Sequence, residues 1–437
     1  MKKILFIWGE LKSTFWFFPI LIVLLSVGLA IGAIYTDSQI EFRPDGFWKF
    51  IFTGSTESAR SILSTISGAM IGVAGTVFSI TLVVLSLASS QFGSRLLRNF
   101  MHERINQIVL GAYISTYVYC LLVLNSIRET EGTLFVPNFS VLIAILAAIA
   151  NIILLIIFIH HIAVGIQSDK VISEIYETLS RNLRDLYPED MGEELEENNV
   201  PDIESIKAQY SSQQSIMSHQ TGYLQYINSD VLFKIACEYD SLIMVHCRPG
   251  NYLVERIEVF SIYSKEKLKE EELQKFRSAF IIGNARTPQQ DTGYSIQQMV
   301  EIAVRALSSG INDPYTAMAC IDYLTSTICY LARVKFPSKY RWDEKDNVRV
   351  VADTITYEGV LDAAFNQIRQ FSVSSPSVAI RLMESLTTIN KFSKADTQKK
   401  AIQKHAEMVL RLAIDSFKEK NDLEDMKKRF EIFDSGN

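Results

Sequence analysis

The 437-residue sequence has few of the residues that build metal sites and disulfide frameworks. It contains five cysteines and six histidines, and no two cysteines stand in a C-x-x-C arrangement. The histidines do not cluster either, apart from the adjacent pair His160 and His161. This composition argues against a zinc or di-iron site and predicts buried, reduced thiols. The five thiols are those of Cys120, Cys237, Cys247, Cys320 and Cys329.

Several catalytic and nucleotide-binding motifs are missing as well. The chain has no G-x-x-x-x-G-K-[ST] phosphate loop, no G-x-G-x-x-G after a strand, no G-x-S-x-G nucleophile elbow and no H-E-x-x-H pair. We therefore expect neither an enzyme nor a bound cofactor or metal. The net charge of −6 gives no reason to expect a nucleic acid as partner.

Charge is absent over long stretches of the first 165 residues, and no ionisable residue stands between Arg60 and Arg95. Four mostly apolar runs of about 20 residues occur there, the length that a helix needs to cross a bilayer. Ion-coupled transporters usually place an ionisable residue inside the membrane, so its absence argues against that class. The runs are Phe15–Tyr35, Ile62–Leu87, Ile108–Ile127 and Val141–Ile159, which predict membrane helices at about 15–35, 62–90, 108–127 and 139–165 in a transmembrane domain of residues 1–168.

Loop charges predict the orientation of these helices. Positive residues collect in the N-terminal tail and in the second loop, whereas the first loop mixes charges and the third favours acidic residues. By the positive-inside rule the N-terminus and second loop are cytoplasmic, and four crossings return the C-terminus to the cytoplasm. We expect a multi-pass protein of the plasma (inner) membrane, in contact with the lipid bilayer. The tail carries Lys2, Lys3 and Lys12, and the second loop carries Arg95, Arg98 and Arg104.

Small residues recur along the second apolar run at alternating intervals of four and three, which places them on one face of a helix. One interpretation is close packing of two helix backbones, for which Gly68 and Gly72 have the G-x-x-x-G spacing. The other is a homo-oligomer in which this face lines a narrow, uncharged path for small ions. The pore-lining candidates are Thr65, Gly68, Gly72, Gly75, Ser79 and Ser86. Arg95 and Arg98 are candidates for the pore mouth, where positive charge would favour anions.

The remainder of the chain has the pattern of a water-exposed α+β domain. The fourth membrane helix is expected to continue through Lys170 and to end before Pro188. A helical extension and acidic linker are predicted at 169–214, a β-rich module at 215–264 and a helical domain at 265–437. Within the module, Pro249 and Gly250 suit the central positions of a type II turn.

Seven helices are predicted in the last region from their period and their caps. The predicted fold class is an α-helical integral membrane protein with four transmembrane helices and a cytoplasmic α+β domain, in which the small β-rich module precedes a helical bundle. The seven helices are expected at about 265–280, 293–308, 314–334, 357–371, 376–392, 396–417 and 421–433.

One group of polar residues in the C-terminal half invites a functional interpretation. It comprises Arg286, Gln290 and Asp291 in one loop, and Asn312 and Asp313 at a helix junction. Helix capping and interface hydrogen bonds explain such residues without any ligand. The alternative is a polar pocket for an anionic or nucleotide-like ligand, or a surface for a protein partner.

The chain resembles a family of bacterial predicted membrane proteins that carry a domain of unknown function. The resemblance covers nearly the whole chain, and its most distinctive strings are SLASSQFG and ALSSGINDPYTA. It implies four membrane helices and a cytoplasmic domain, and it marks Ser86–Gly93 and Gly310–Ala317 as family signatures. It implies no activity.

Two functional hypotheses follow. The first is a homo-oligomeric ion channel in which the second transmembrane helix lines the pore and the cytoplasmic domain gates it. The second is a non-conducting membrane sensor or scaffold whose cytoplasmic domain binds a ligand or protein partner. An enzyme has no support, because no nucleophile, metal cluster or pair of catalytic carboxylates stands out.

Overall fold

The computed structural model describes residues 16–39, 55–93, 104–130, 133–165, 167–186, 202–334, 336 and 338–435. The chain divides into two compact units, Met1–Lys170 and Val171–Asn437. Each unit has hydrophobic clusters of its own, so each unit has its own core.

Four helices of the first unit are long and apolar enough to cross a membrane, as the four apolar runs predicted. The second is the longest, and its 37 residues extend over about 55 Å. A hydrocarbon core is only about 30 Å thick, so this helix must tilt or project beyond it. The elements are α1 (Phe17–Gln39), α2 (Thr56–Phe92), α3 (Arg104–Ser126), the antiparallel strand pair β1 (Arg128–Thr130) and β2 (Thr133–Phe135), and α4 (Asn138–Gly165).

α3 is the most enclosed of the four membrane helices. Half of its apolar span is buried inside the protein, compared with 17–22% for the other three. It contributes Tyr113, Tyr119 and Val123 to the core of the unit, where they meet buried residues of α2 and α4. The other helices therefore leave most of their apolar surface for lipid or for other protein.

Buried polar side chains connect α3 and α4 by hydrogen bonds. Asn151 of α4 is 2% exposed, and its Nδ2 donates a 2.8 Å hydrogen bond to the Thr116 hydroxyl of α3. The Tyr113 hydroxyl donates to the Asn151 carbonyl at 2.6 Å. Interhelical bonds of this type are worth about 0.6–2 kcal/mol in membrane bundles. Asn151 therefore has a structural role in helix association.

Asp37, at the end of α1, caps the N-terminus of α4. Its carboxylate accepts hydrogen bonds from the Phe139 and Ser140 backbone amides at 2.9 Å each, and from the Ser140 hydroxyl at 2.6 Å. An anion is favourable there because the first amides of a helix lack partners and carry partial positive charge. This contact fixes α1 to α4.

The fourth membrane helix does not continue towards Pro188 as expected. α4 ends at Gly165, and a separate amphipathic helix, α5 (Ser168–Leu186), begins three residues later. Glycine weakens a helix interior and serine is common where helices begin, so Gly165 and Ser168 are local signals of the break. The helical pattern of residues continues on both sides of them, and for this reason the sequence predicted one long helix.

Two β-sheets form part of the second unit. Their strands are β3 (Ser212–Met217), β4 (Gly222–Ile227), β5 (Leu242–Val245), β6 (Tyr252–Leu253), β7 (Glu258–Ser264), β8 (Phe280–Gly283), β9 (Tyr340–Trp342) and β10 (Val348–Ala352). The first sheet has the strand order β3-β7-β5-β10-β9, in which only β5 and β10 run parallel. The second sheet is antiparallel, with the order β6-β4-β8.

The strands are not confined to residues 215–264. β8, β9 and β10 come from the region predicted to be helical, and β10 pairs with both β5 and β9 inside the larger sheet. The helix predicted at 265–280 is correspondingly short, because β8 follows it closely. Periodicity cannot distinguish a short apolar run such as Phe280–Gly283 from a buried helix segment, which explains the error.

The helices of the second unit otherwise follow their predicted positions within a few residues. Their caps account for this agreement, because Asp291, Asp313 and Thr356 each accept a backbone hydrogen bond at a helix start. The helices after α5 are α6 (Ile203–Lys207), α7 (Ser229–Glu238), α8 (Glu270–Arg277), α9 (Thr292–Ala306), α10 (Pro314–Arg333), α11 (Tyr357–Phe371), α12 (Pro376–Phe392), α13 (Asp396–Ser416) and α14 (Lys420–Ser435).

Candidate functional site along the second membrane helix

α2 has one face that belongs to the core of its own chain. Leu63, Met70, Ala74, Val77 and Val84 are buried and recur at intervals of three, four and seven, which is one side of a helix. Leu63 packs with residues of the other membrane helices in one apolar cluster, and Met70, Ala74 and Val77 do so in another. This side of α2 accounts for its attachment to the unit.

The small residues predicted to line a pore lie on the opposite side of α2, and we call this line of residues the seam. On a helical wheel their mean direction is about 180° from that of the five buried residues. Beyond the helix's own backbone, a Cβ placed on Gly68, Gly72 or Gly75 would meet no atom of the described residues within 4 Å. The glycines of the seam are therefore not used for packing among the described residues. The seam residues Thr65, Gly68, Gly72, Gly75, Ser79 and Ser86 are all exposed.

Larger apolar side chains border the seam. Ile71 and Phe78 are exposed on one flank, and Val83 and Leu87 are exposed on the other. On a helical wheel these four residues lie about 40–100° to either side of the mean direction of the seam. The uncovered side of α2 is thus a shallow groove of small residues between two apolar borders.

Hydroxyl groups on this side of α2 donate their protons within the helix. Thr65 donates to the Ser61 carbonyl at 2.7 Å, and Ser79 donates to the Gly75 carbonyl at 2.9 Å. Thr76 makes the same bond to Gly72 at 3.2 Å. These bonds satisfy the hydroxyl donors without another helix, so the side chains are compatible with an apolar environment. Their oxygen lone pairs remain available to a group outside.

Leu82 interrupts the row of small residues in the seam. It lies between Ser79 and Ser86 on the same line and is 51% exposed. It is the one large apolar side chain on this line between Thr65 and Ser86. The predicted pore-mouth residues Arg95 and Arg98 lie outside the described residues.

The polar residues of the second unit are engaged with one another. Arg286 donates to both carboxylate oxygens of Asp291, from Nε at 2.7 Å and from a terminal nitrogen at 2.9 Å. Its other terminal nitrogen donates to Gln297, and its guanidinium lies over the ring of Tyr294. Asp291 is 6% exposed and also caps α9 by accepting from the Tyr294 amide at 3.1 Å. This is a closed ion pair that holds the start of a helix.

Gln290 has an equally complete set of partners. Its carbonyl oxygen accepts from the Ile227 amide at 2.9 Å, and its Nε2 donates to the Ile227 carbonyl at 3.0 Å. The side chain thus forms with the last residue of β4 the two hydrogen bonds that a neighbouring strand would form. Gln290 connects the loop before α9 to the smaller sheet.

Asn312 and Asp313 form the junction between α9 and α10. Asn312 has a left-handed backbone with φ of 52°, which asparagine tolerates better than most residues. Asp313 caps α10, accepting from the Thr316 amide at 3.1 Å and hydroxyl at 2.6 Å. This junction follows the C-terminal end of α9, whereas Asp291 precedes its N-terminus. The 15 residues of α9 separate the two groups by about 22 Å, so they do not form one pocket.

One charged cluster around a buried arginine of the second unit was not anticipated from the sequence. Arg349 of β10 is 6% exposed and forms ion pairs with Asp343 at 2.7 Å and Asp240 at 2.6 Å. Burial disfavours the charged form of Asp343, but hydrogen bonds from Asn347 and Arg349 outweigh it and lower the pKa of this carboxyl. A charge inside an apolar strand was the available signal, because a buried arginine needs carboxylate partners.

No group of three or more histidine, cysteine, aspartate or glutamate side chains within the described part of the chain is arranged to hold a metal ion. The five cysteines are free, and only Cys237 is exposed. Burial raises the pKa of the Cys329 thiol to about 11, so this thiol remains protonated and unreactive at neutral pH.

These features define a multi-span membrane protein with a large α+β unit. The chain belongs to the family described as Predicted membrane protein (DUF2254), whose model matches residues 12–388. Uncharacterised proteins of Mycobacterium tuberculosis (strains CDC 1551 and H37Rv) and Mycobacterium bovis are similar, each 28% identical over 422 residues. The alignments cover 94% of this chain and 78% of each relative. No solved structure matches the chain.

Proposed function

We propose that the protein is a homo-oligomeric ion channel in which the α2 helices of several copies surround the conduction path. The proposal places it in the bacterial plasma membrane with both termini in the cytoplasm, as the loop charges predict. The C-terminal unit would then be cytoplasmic and positioned to gate the path.

One observation carries this proposal: the seam of α2 is uncovered, and its glycines have open space where a side chain would stand. A chain that needed these glycines for its own packing would bring another backbone against them. No described residue of the chain approaches them in this way, which favours contacts with other copies. Lipid alone does not account for a line of glycine and serine, because glycine weakens a helix by about 1 kcal/mol relative to alanine.

The flanks of α2 explain how copies would be arranged. In a ring, each helix contacts two neighbours and directs a third sector towards the axis. The apolar flanks around Phe78 and Val83 suit the contacts with neighbours, and the seam between them suits the axis. A path lined by small, uncharged side chains would be narrow and weakly polar. A ring of Leu82 side chains would form its apolar constriction, of the type that gates by dewetting.

The alternative of a non-conducting sensor or scaffold has less support. Its candidate recognition residues, Arg286, Asp291 and Asp313, already hold helices and loops of their own unit. A ligand would have to break those bonds before it gained new ones. The sensor reading becomes the better one only when the purified protein is shown not to conduct.

The test is current recording from purified full-length protein in planar bilayers. Ser79→Leu adds bulk to the seam and should abolish discrete conductance. Ala150→Leu is the matched control, because it adds similar bulk at an exposed position of α4, away from α2. Conductance in wild type and Ala150→Leu, with none in a well-folded Ser79→Leu protein, supports the pore. Silence of a verified wild-type oligomer, or equal currents in all three proteins, contradicts it.

Disulfide cross-linking tests the assembly separately from conduction. In a background with the five native cysteines replaced by serine, Gly72→Cys should form dimers within the membrane on mild oxidation. Leu146→Cys, on the exposed lipid-facing side of α4, should not. Equal cross-linking at both positions would indicate random collision and would remove the support for α2 at the axis.

A further inference from the structure

The first turn of α2 carries a charged side chain on the line of the seam. Glu57 is exposed and precedes Ser61 by one helical turn. On a helical wheel it lies about 20° from Gly68, whereas Arg60 lies about 80° away on the flank. Glu57 and Arg60 are the only ionisable residues of α2. The end of the seam is therefore acidic, and the nearest positive charge of the helix points elsewhere.

The chemistry of the seam agrees with that sign. Thr65 and Ser79 direct their hydroxyl protons to carbonyls of the previous turn, at 2.7 and 2.9 Å. A hydroxyl whose proton is committed in this way presents an oxygen lone pair to its surroundings. Oxygen lone pairs coordinate cations and repel anions. Two independent features, an end carboxylate and outward oxygens, thus favour the same class of ion.

We infer that the protein selects small monovalent cations and that Glu57 is the residue that sets this preference. The inference rests on the proposed function, because Glu57 forms a ring of carboxylates only if several α2 helices surround an axis. In the proposed orientation that ring stands at the non-cytoplasmic mouth. A ring of fixed negative charge raises the local concentration of cations and lowers that of anions before any ion enters.

This conclusion differs from the anion preference that Arg95 and Arg98 suggested. Both arginines lie outside the described residues, and both are accounted for by the positive-inside rule. Glu57 lies on the seam, and no ion pair joins it to another described residue. Its charge is therefore available to the path.

The experiment measures reversal potentials of purified full-length protein in planar bilayers under a KCl gradient. Wild type should favour K⁺ over Cl⁻ by roughly tenfold, the lower end of electrostatic concentration effects. Glu57→Gln, which keeps the shape of the side chain, should bring the permeability ratio close to one, and Glu57→Lys should reverse it. Arg60→Gln is the matched control, because it removes the flanking charge of the same turn and should leave cation preference intact.

The outcomes separate this inference from the proposed function. Discrete currents that are anion-selective, or that keep the same reversal potential in Glu57→Gln and Glu57→Lys, overturn the role of Glu57 and leave the pore standing. Equal effects of Glu57→Gln and Arg60→Gln overturn it too, because position on the seam would then not matter. Absence of current from every folded variant overturns both. Size-exclusion profiles and thermal melts confirm that each variant is folded before it is recorded.

Discussion

The seam of α2 and the polar loops around α9 were both conspicuous in the sequence, but they differ in the contacts that they make in the structure. Glycines of the seam have open space where a Cβ would stand. Arg286 and Asp291, in contrast, are joined by two hydrogen bonds, and Asp291 also caps a helix. Among the described residues no other element approaches the glycines of the seam, whereas Arg286 and Asp291 are hydrogen-bonded to each other.

The difference teaches which kind of conspicuous residue remains available for function. A buried polar group is costly unless it is paired, so a polar residue inside a domain normally has an internal partner and is explained by the fold. A glycine in a helix is costly unless something approaches it closely, so a line of uncontacted glycines is not explained by the fold of one chain. The glycines of the seam are therefore the residues for which a function has to be sought.

The largest expected effect comes from making one chemical change in both regions. Gly250 has φ of 93°, and a Cβ there would lie 2.2 Å from a carboxylate oxygen of Asp291. Gly250→Ala should therefore lower the free energy of unfolding of the second unit by about 3–5 kcal/mol, from backbone strain and from disruption of the Arg286–Asp291 pair. Gly72→Ala has open space and a helical backbone, so it should change the stability of the first unit by no more than about 1 kcal/mol.

Hydrogen exchange measured by mass spectrometry on the full-length protein in detergent reports the two units separately. The expected pattern is faster exchange around β4 and α9 in Gly250→Ala, and unchanged exchange in α1 to α4 in Gly72→Ala. A large loss of protection in the membrane helices of Gly72→Ala would mean that the seam does stabilise a single chain, and the comparison would fail.

A smaller loss is expected when the charge of the ion pair is removed. Asp291→Asn keeps a side chain that can cap α9, but it replaces an acceptor oxygen facing Arg286 by a donor. The second unit should lose about 1.5–3 kcal/mol, the usual contribution of a hydrogen bond to a charged group. Urea unfolding of the full-length protein measures this loss. Arg286→Lys serves as the partner experiment, because lysine keeps the charge without the two-point geometry, and it should lose less than Asp291→Asn.

Much of the membrane unit follows from the sequence because lipid imposes a strong constraint. A helix that crosses a bilayer must be long, apolar and internally hydrogen-bonded, and all three conditions are legible in one chain. The sequence could not predict whether the seam faces the other helices of its own chain or points away from them. Small residues with the G-x-x-x-G spacing suit packing within a chain as well as between chains, and only the positions of α3 and α4 show that Gly68 and Gly72 are uncovered.

The second unit was predictable where local signals dominate and not where distant segments pair. The starts of α9, α10 and α11 were legible because caps are local. The turn at Arg248–Asn251 has the expected hydrogen bond of 3.0 Å, from the Asn251 amide to the Arg248 carbonyl. The pairing of β10 with β5 was not predictable, because about 100 residues separate the two strands and a sheet can recruit a short strand from anywhere.

The candidate site in the second unit shows the same limit. Residue types at 286, 290, 291, 312 and 313 suggested a pocket, because polar side chains near helix ends suit both ligands and caps. The helix predicted at 293–308 already stood between the two groups, and α9 holds them at its opposite ends. The sequence did not reveal the partner of Gln290, because Ile227 lies 63 residues earlier in the chain.

Asp313 offers a smaller test of whether the helix junction is only structural. Asp313→Ala removes the acceptor for Thr316 and should cost about 1 kcal/mol, and Asp313→Asn or Asp313→Ser should restore most of it, because these residues cap helices nearly as well. Urea unfolding measures all three. In planar bilayers the currents of Asp313→Ala should match those of wild type. A variant that is stable but electrically altered would show that the junction contributes to gating.

The smallest expected effect is a dependence of the second unit on pH. His405 of α13 is 1% exposed, and its Nε2 lies 2.9 Å from a carboxylate oxygen of Asp362. Burial lowers the pKa of His405 and outweighs Asp362, which acts in the opposite direction, while Lys404 and Arg369 add to the lowering. The unfolded chain, with an ordinary histidine pKa of about 6.5, therefore binds more protons than the folded one as the pH falls.

The stability contributed by keeping His405 neutral is thus present above about pH 6.5 and is lost as the pH falls below it towards the folded pKa. Urea unfolding at a series of pH values should show this loss in wild type, and His405→Asn should reduce the slope in that window. Increasing stability as the pH falls would mean that the pair with Asp362 dominates over burial. Because the seam of α2 between Thr65 and Ser86 carries no ionisable group, the same pH range should leave the protection of the α2 amides from exchange unchanged. The second unit, where His405 is buried beside Asp362, should therefore respond to pH, and the seam of α2 should not.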